Sequence, residues 1–150
     1  MPQLRKDPVI GRWVIISTER QLRPTDFKEL KESAEEINLK FCPFDEGNED
    51  KTPPEIYSIR KQGTLPNTPG WDVRVVANKY PALRIEGPIG KKGIGPFDSM
   101  NGIGAHEIVI ETPLHNEQMG FYSTDHLVKV ISTYQQRSLD LKKDPRFKYP

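Results

Sequence analysis

Four groups of residues have types and spacings that could carry chemistry. The first is Arg20-Gln21-Leu22-Arg23, just past an apolar run. A guanidinium offers oxyanions a planar fork of N–H donors, so two arginines three apart suit a phosphate; a solvated loop is the plainer reading. The second is Cys42-Pro43-Phe44-Asp45. A turn presenting two ligands three apart is half a zinc site, and a carboxylate oxygen can replace the usual second sulfur as a harder ligand. On spacing alone, a small buried thiol beside a turn is favoured. The third is Asn78-Lys79-Tyr80, polar residues at the end of an apolar strand, where they either meet a ligand or make a turn. The fourth is the set of histidines, His106, His115 and His126. His106, on an apolar strand face, is more often a hydrogen-bonded residue than a ligand; His115, in the loop after it, takes the same default, and His126 reads as solvated.

These groups need elements to hold them. Val73, Val75 and Ala77 alternate with Arg74 and Val76, which predicts a strand with one face firmly buried. Pro81 breaks it, and Ala82 to Ile85 resumes as a second short strand. In Gly11 to Ser17, Trp13 and Ile15 share one face and Val14 and Ile16 the other, which predicts a strand covered on both sides. The charged 26–37 stretch, with Leu30, Ala34 and Ile37 at helical spacing, reads as a short surface helix or a loose connection. Thr52 to Ile56 reads as an extended arm and Tyr57 to Arg60 as a strand. The glycine-rich 87–104 stretch lacks the Gly-Lys-Ser/Thr ending of a phosphate loop and reads as a mobile connection. Ala105 to Thr112 is predicted as a strand with His106, Ile108 and Ile110 on its more apolar face. Ser123 or Thr124 opens a helix over 124–143, with Leu127, Val130, Ile131, Tyr134 and Leu141 as its core-facing stripe.

Composition narrows the class. A chain of 150 residues suits one domain. Lys and Arg total 22 against 21 Asp and Glu, so there is no basic excess to attract nucleic acid. A single cysteine, Cys42, allows no internal disulfide and points to a reducing compartment. No apolar run approaches the roughly 20 residues of a membrane span, and the first residues hold no signal-peptide core. The sequence therefore reads as a soluble cytoplasmic protein with neither a nucleic-acid nor a membrane partner.

Taken in order, several pieces carry a resemblance. They are Gly11-Arg12-Trp13-Val14, Arg20-x-x-Arg23-Pro24, Cys42-Pro43-Phe44, and Gly47-Asn48-Glu49 with Thr52-Pro53-Pro54-Glu55. Asn78-Lys79-Tyr80-Pro81-Ala82-Leu83 and Gly104-Ala105-His106-Glu107 complete the series. Together they resemble the N-terminal half of galactose-1-phosphate uridylyltransferases, in the wider histidine-triad superfamily. The resemblance implies an α+β fold, a mostly antiparallel sheet with a long C-terminal helix packed on it, as a histidine-triad-like half domain. It implies uridylyl transfer between UDP-glucose and galactose 1-phosphate through a covalent uridylyl-histidine, in an enzyme that pairs as a homodimer. It places Arg20 and Arg23 on the nucleotide phosphates and Asn78, Lys79 and Tyr80 against the uridine. It makes Cys42, Asp45 and His106 three of four zinc ligands. Arginine pairs suit such transfer, because positioning and charge stabilisation carry most of it.

Two departures qualify the expectation. Asp45 stands where the family has a second cysteine. No histidine here is followed by Pro-His, so the family's catalytic His-Pro-His is missing. Residues 1–150 are thus expected to form an N-terminal uridylyltransferase domain that contains no catalytic residue and is inactive alone. The alternatives are an adenine-nucleotide sugar phosphorylase or adenylyltransferase of the same superfamily, and a noncatalytic nucleotide- or metal-binding module.

Overall fold

The computed structural model describes residues 1–17, 20 and 42–149. Arg23 and the 26–37 stretch lie outside the described residues. The elements are β1 (Gln3–Lys6), β2 (Trp13–Ile16), β3 (Glu55–Arg60), β4 (Trp71–Ala77), β5 (Lys92–Ile94), β6 (Phe97–Asn101), β7 (Glu107–Ile110) and α1 (Thr124–Leu141). They form two sheets and one long helix, the α+β class expected. No described helix is long and apolar enough to cross a membrane.

The chain divides into two compact units. The first comprises Met1–Leu22, Ala77–Ile108 and Tyr134–Pro150, and the second Arg23–Val76 and Val109–Thr133. The boundary therefore runs through β4, β7 and α1.

The first unit holds a four-stranded sheet in the order β2-β1-β6-β5, paired antiparallel throughout. β1 pairs on both sides, with Leu4 opposite Ile15 and Met100. Its four residues, of which only Leu4 is apolar, carry no strand pattern. β2 corrects an expectation. It is an edge strand, and Trp13, Val14, Ile15 and Ile16 are 38%, 43%, 45% and 39% exposed rather than covered on both sides. The glycine-rich stretch is also not a loose connection: it folds into the β5–β6 hairpin, with Ile94 opposite Phe97 across Gly95-Pro96. Ala82 to Ile85 makes no strand. It contributes one bridge, Arg84 to Ile103, flanked by Arg84 N–H to Gly102 O and Gly104 N–H to Arg84 O, each 2.9 Å. The last turns of α1 belong here, and Arg137 forks onto Glu107 through two 2.8 Å hydrogen bonds.

In the second unit β4 is the middle strand of the order β3-β4-β7. Trp71, Val73, Val75 and Val76 are all buried, so both faces are covered and not one. Arg74, expected on an open face, is only 1% exposed. Its guanidinium donates to Thr52 Oγ1 at 2.8 Å and pairs with Glu55 Oε2 at 3.4 Å. Arg60 holds the same Glu55 oxygen at 3.0 Å. A buried charge persists only when it is paired in this way.

α1 begins where the sequence places it. Ser123 Oγ accepts the His126 N–H at 3.2 Å, an N-cap bond. The buried line differs from the expected stripe. Val130 and Thr133 are fully buried, whereas Ile131 and Tyr134 are 59% and 39% exposed. Thr133 tolerates burial because its hydroxyl donates to Lys129 O at 2.9 Å.

Gly70 leads into β4 with φ +99°, and a Cβ there would lie 2.5 Å from Thr64 Cγ2. An alanine meets both a left-handed backbone and a clash. Gly70→Ala is expected to cost about 1–3 kcal/mol. Urea unfolding checks it, and an unchanged midpoint would show that the turn relaxes freely.

Candidate functional site

In the second unit the Cys42-x-x-Asp45 spacing becomes a hydrogen-bonded turn. The Cys42 carbonyl accepts Asp45 N–H at 3.3 Å and Asn48 Nδ2 at 2.7 Å, and Asp45 O accepts Asn48 N–H at 3.1 Å. Both candidate ligands thus leave one tight piece of backbone. The loop after β7 supplies a third. Leu114 N–H donates to Thr112 Oγ1 at 3.2 Å and Glu117 N–H to Leu114 O at 3.2 Å, and the exposed His115 lies within this turn. His115 Nδ1 lies 2.8 Å from Asp45 Oδ1.

One ligand atom each from Cys42, Asp45 and His115 lie within 4.8 Å of one another. A zinc tetrahedron with bonds of about 2.0–2.3 Å sets its corners about 3.5 Å apart, so a small inward movement would complete three of them. The donors also fit chemically: a thiolate, an imidazole and a carboxylate are the three side-chain types zinc accepts. They border an open cavity of about 300 Å³, with Glu111, Glu117 and Tyr122 on its wall. Burial, then the charges of Glu111 and Glu117, push the Tyr122 hydroxyl pKa above its ordinary value, so it stays protonated.

This arrangement gathers two of the three expected ligands with a different histidine. Cys42 and Asp45 come together, but the histidine beside them is His115. His106 belongs to the first unit and is otherwise engaged. Its Nδ1 accepts the Ala82 N–H at 2.9 Å, and the Asn78 side-chain amide lies 3.2 Å from Nε2. The Ala82 bond occupies the lone pair of Nδ1, which is then closed to a metal. Spacing could not choose between the two histidines. The available signal was that His115 follows Thr112-Pro113 in a loop, where ligand groups concentrate, while His106 enters a strand.

His106 instead holds the predicted base-contacting loop. Its carbonyl accepts Asn78 N–H at 2.8 Å, and Asn78 Oδ1 accepts Tyr80 N–H at 2.8 Å. The 78–82 backbone is therefore wrapped around the imidazole. Asn78 and Tyr80 are half-buried and Lys79 is exposed. Arg20 is half-buried in the same unit. Ser17 Oγ, three residues before it, donates to Pro81 O at 3.3 Å and ties the end of β2 to the loop. Arg23 lies outside the described residues.

No family model matches the chain. It is 35% identical over 138 residues to an ADP-glucose phosphorylase of Arabidopsis thaliana, covering 91% of this chain and 38% of that protein. It is 27% identical over 150 residues to a galactose-1-phosphate uridylyltransferase of Thermotoga maritima, covering 99% of this chain and 39% of that one. The crystal structure of an ADP-glucose phosphorylase from Arabidopsis thaliana with bound ADP-glucose superposes with a TM-score of 0.55 at 31% identity, covering 99% of this chain and 41% of that one. The chain thus spans about two fifths of the length of the relatives it matches. The order of motifs, the α+β architecture and these two curated relatives agree: the chain resembles galactose-1-phosphate uridylyltransferases and ADP-glucose phosphorylases over about two fifths of their length.

Proposed function

We propose that the protein moves a nucleotidyl group between a nucleotide sugar and a phosphate-bearing acceptor, with ADP-glucose as the nucleotide sugar. The observation that carries the adenine reading is the 35% identity to the ADP-glucose phosphorylase, over nine tenths of this chain. The uridylyl reading, with UDP-glucose and galactose 1-phosphate, rests on the 27% relative and on the shared motifs. In either case Asn78, Lys79 and Tyr80 meet the base, and Arg20 and Arg23 take the phosphates. The His106 scaffold supports that division, because it fixes the loop backbone before a ligand arrives. The chain's residues bind and orient; the attacking group is not among them.

Cys42, Asp45 and His115 would hold zinc. The ion would supply a cross-link between the 42–48 turn and the loop after β7. Asp45 in place of a second thiolate makes this a harder and weaker site than one with two cysteines.

The test is thermal unfolding with ADP-glucose and UDP-glucose in parallel. ADP-glucose should raise the unfolding temperature; at a hundred times its Kd a ligand adds about 2.7 kcal/mol. Stabilisation by UDP-glucose alone would move the assignment to uridylyl transfer. No response to either would remove the nucleotide-binding role from this chain. Arg23→Ala should abolish most of the shift without lowering the midpoint of the free protein.

A further inference from the structure

Glu49 is a carboxylate in a dry place. It is 5% exposed and lies four residues past Asp45. Its Oε1 accepts the indole N–H of Trp71 at 2.8 Å, and both its oxygens face the Gly47 N–H, at 3.1 and 3.2 Å. Burial by itself pushes the carboxyl pKa up. The Trp71 and Gly47 N–H groups, with the Arg74 charge behind them, outweigh burial and hold it below its ordinary 4.5. The group is therefore ionised and fully committed to these donors.

The donors on either side have different jobs. Trp71 is 1% exposed and sits at the start of β4, so it fixes the carboxylate to a rigid strand. Gly47 has φ +96°, a left-handed conformation that favours glycine and turns its N–H back to Glu49. Upstream, the Asn48 amide and Asp45 N–H both close on the Cys42 carbonyl. Two sets of hydrogen bonds, joined by the Gly47–Asn48 peptide, thus connect β4 through Glu49 to the backbone carrying the Cys42 thiol and the Asp45 carboxylate. An apolar side chain at 49 would fill the space but would give the Gly47 N–H nothing to aim at.

We propose that Glu49 is a positioning residue for the metal centre: anchored on Trp71, it holds the Cys42–Asp45 turn in ligand geometry before an ion binds. The inference rests on the reading that Cys42, Asp45 and His115 take a divalent metal. Ligands ordered in advance lose less freedom on binding, so the anchor acts on affinity and on coordination geometry.

The experiment measures zinc affinity of the chain by competition with a chromophoric chelator, the absorption spectrum of the cobalt(II)-loaded chain, and the urea midpoint. Glu49→Leu should weaken zinc at least tenfold and shift the cobalt bands. Glu49→Gln, which keeps one acceptor, and Trp71→Phe, which removes the indole N–H together with part of the buried ring, should each lose less zinc affinity than Glu49→Leu. A lower urea midpoint with unchanged zinc affinity and cobalt spectrum in all three variants would overturn the positioning role and leave the metal site standing. Failure of the unsubstituted chain to bind zinc or cobalt would remove the metal site, and the proposal with it. Cys42→Ser marks the signal of a lost ligand in both readouts.

Discussion

Glu55→Leu is expected to cost about 3–5 kcal/mol of folding stability, the toll for stranding a buried charge. Two guanidiniums converge on this carboxylate, Arg60 at 3.0 Å and Arg74 at 3.4 Å, and its side chain is 7% exposed. Arginine cannot shed its proton, so without Glu55 the 1% exposed Arg74 stays charged, its hydrogen bonds going only to neutral acceptors on Thr52, Asn67 and the Glu49 carbonyl while the Glu49 carboxylate offsets part of its charge. Removing the other side is gentler. Arg74→Met leaves Glu55 bound to Arg60 and to the Ser58 hydroxyl at 3.0 Å, so about 1–3 kcal/mol is expected. The double variant should recover part of the loss, because the stranded guanidinium is gone. Urea unfolding of the two single variants and the double one measures the coupling. Equal costs for the two single changes would mean that Arg74 is not charge-compensated by Glu55. Domains of this size hold about 5–15 kcal/mol in total, so the glutamate variant should sit near its unfolding threshold at room temperature.

The same strand shows where sequence reading stops. The β-branched run of β4 announced a strand, and a strand is there. Its second buried face was illegible because alternation counts polar residues as solvated. Arg74 is polar and buried, at the cost of partners drawn from Thr52, Glu55 and Asn67, which no local pattern reveals. β2 failed in the opposite sense. Apolar residues on both faces suggested full cover, yet its place at the sheet edge is set by pairing with β1, a segment that reads as charged. In α1 the period was right and its occupants were not. Thr133 replaced an aliphatic residue by bonding its own helix, and Arg137 found Glu107 as a terminus for its charge. The site divides likewise. Cys42 and Asp45 are neighbours in sequence, so spacing sufficed. The third member lies 70 residues from Asp45, and only the fold could select it.

That selection yields the second large effect. His115→Ala should lower zinc affinity about a hundredfold or more. A closed four-ligand zinc is worth about 10–16 kcal/mol, so one ligand carries on the order of 3 kcal/mol. His106→Ala should leave zinc affinity within about twofold, because the ligand atoms gathered in the second unit are those of Cys42, Asp45 and His115, and the Ala82 N–H occupies Nδ1 of His106. Its cost falls elsewhere. Without the imidazole, Ala82 N–H and the Asn78 amide lose their partner, and the 78–82 backbone keeps only its bonds to the His106 carbonyl and within the loop. Faster amide exchange at Ala82 and weaker nucleotide-sugar binding should follow. Asp45→Cys supplies the opposite sign: a second thiolate should tighten zinc and add thiolate-to-metal absorption with cobalt. Chelator competition on the three variants, with amide exchange on the His106 variant, separates the two histidines. Loss of zinc from His106→Ala with retention by His115→Ala would restore the ligand set Cys42, Asp45 and His106, and would mean that the ring of His106 turns away from Ala82 when metal arrives.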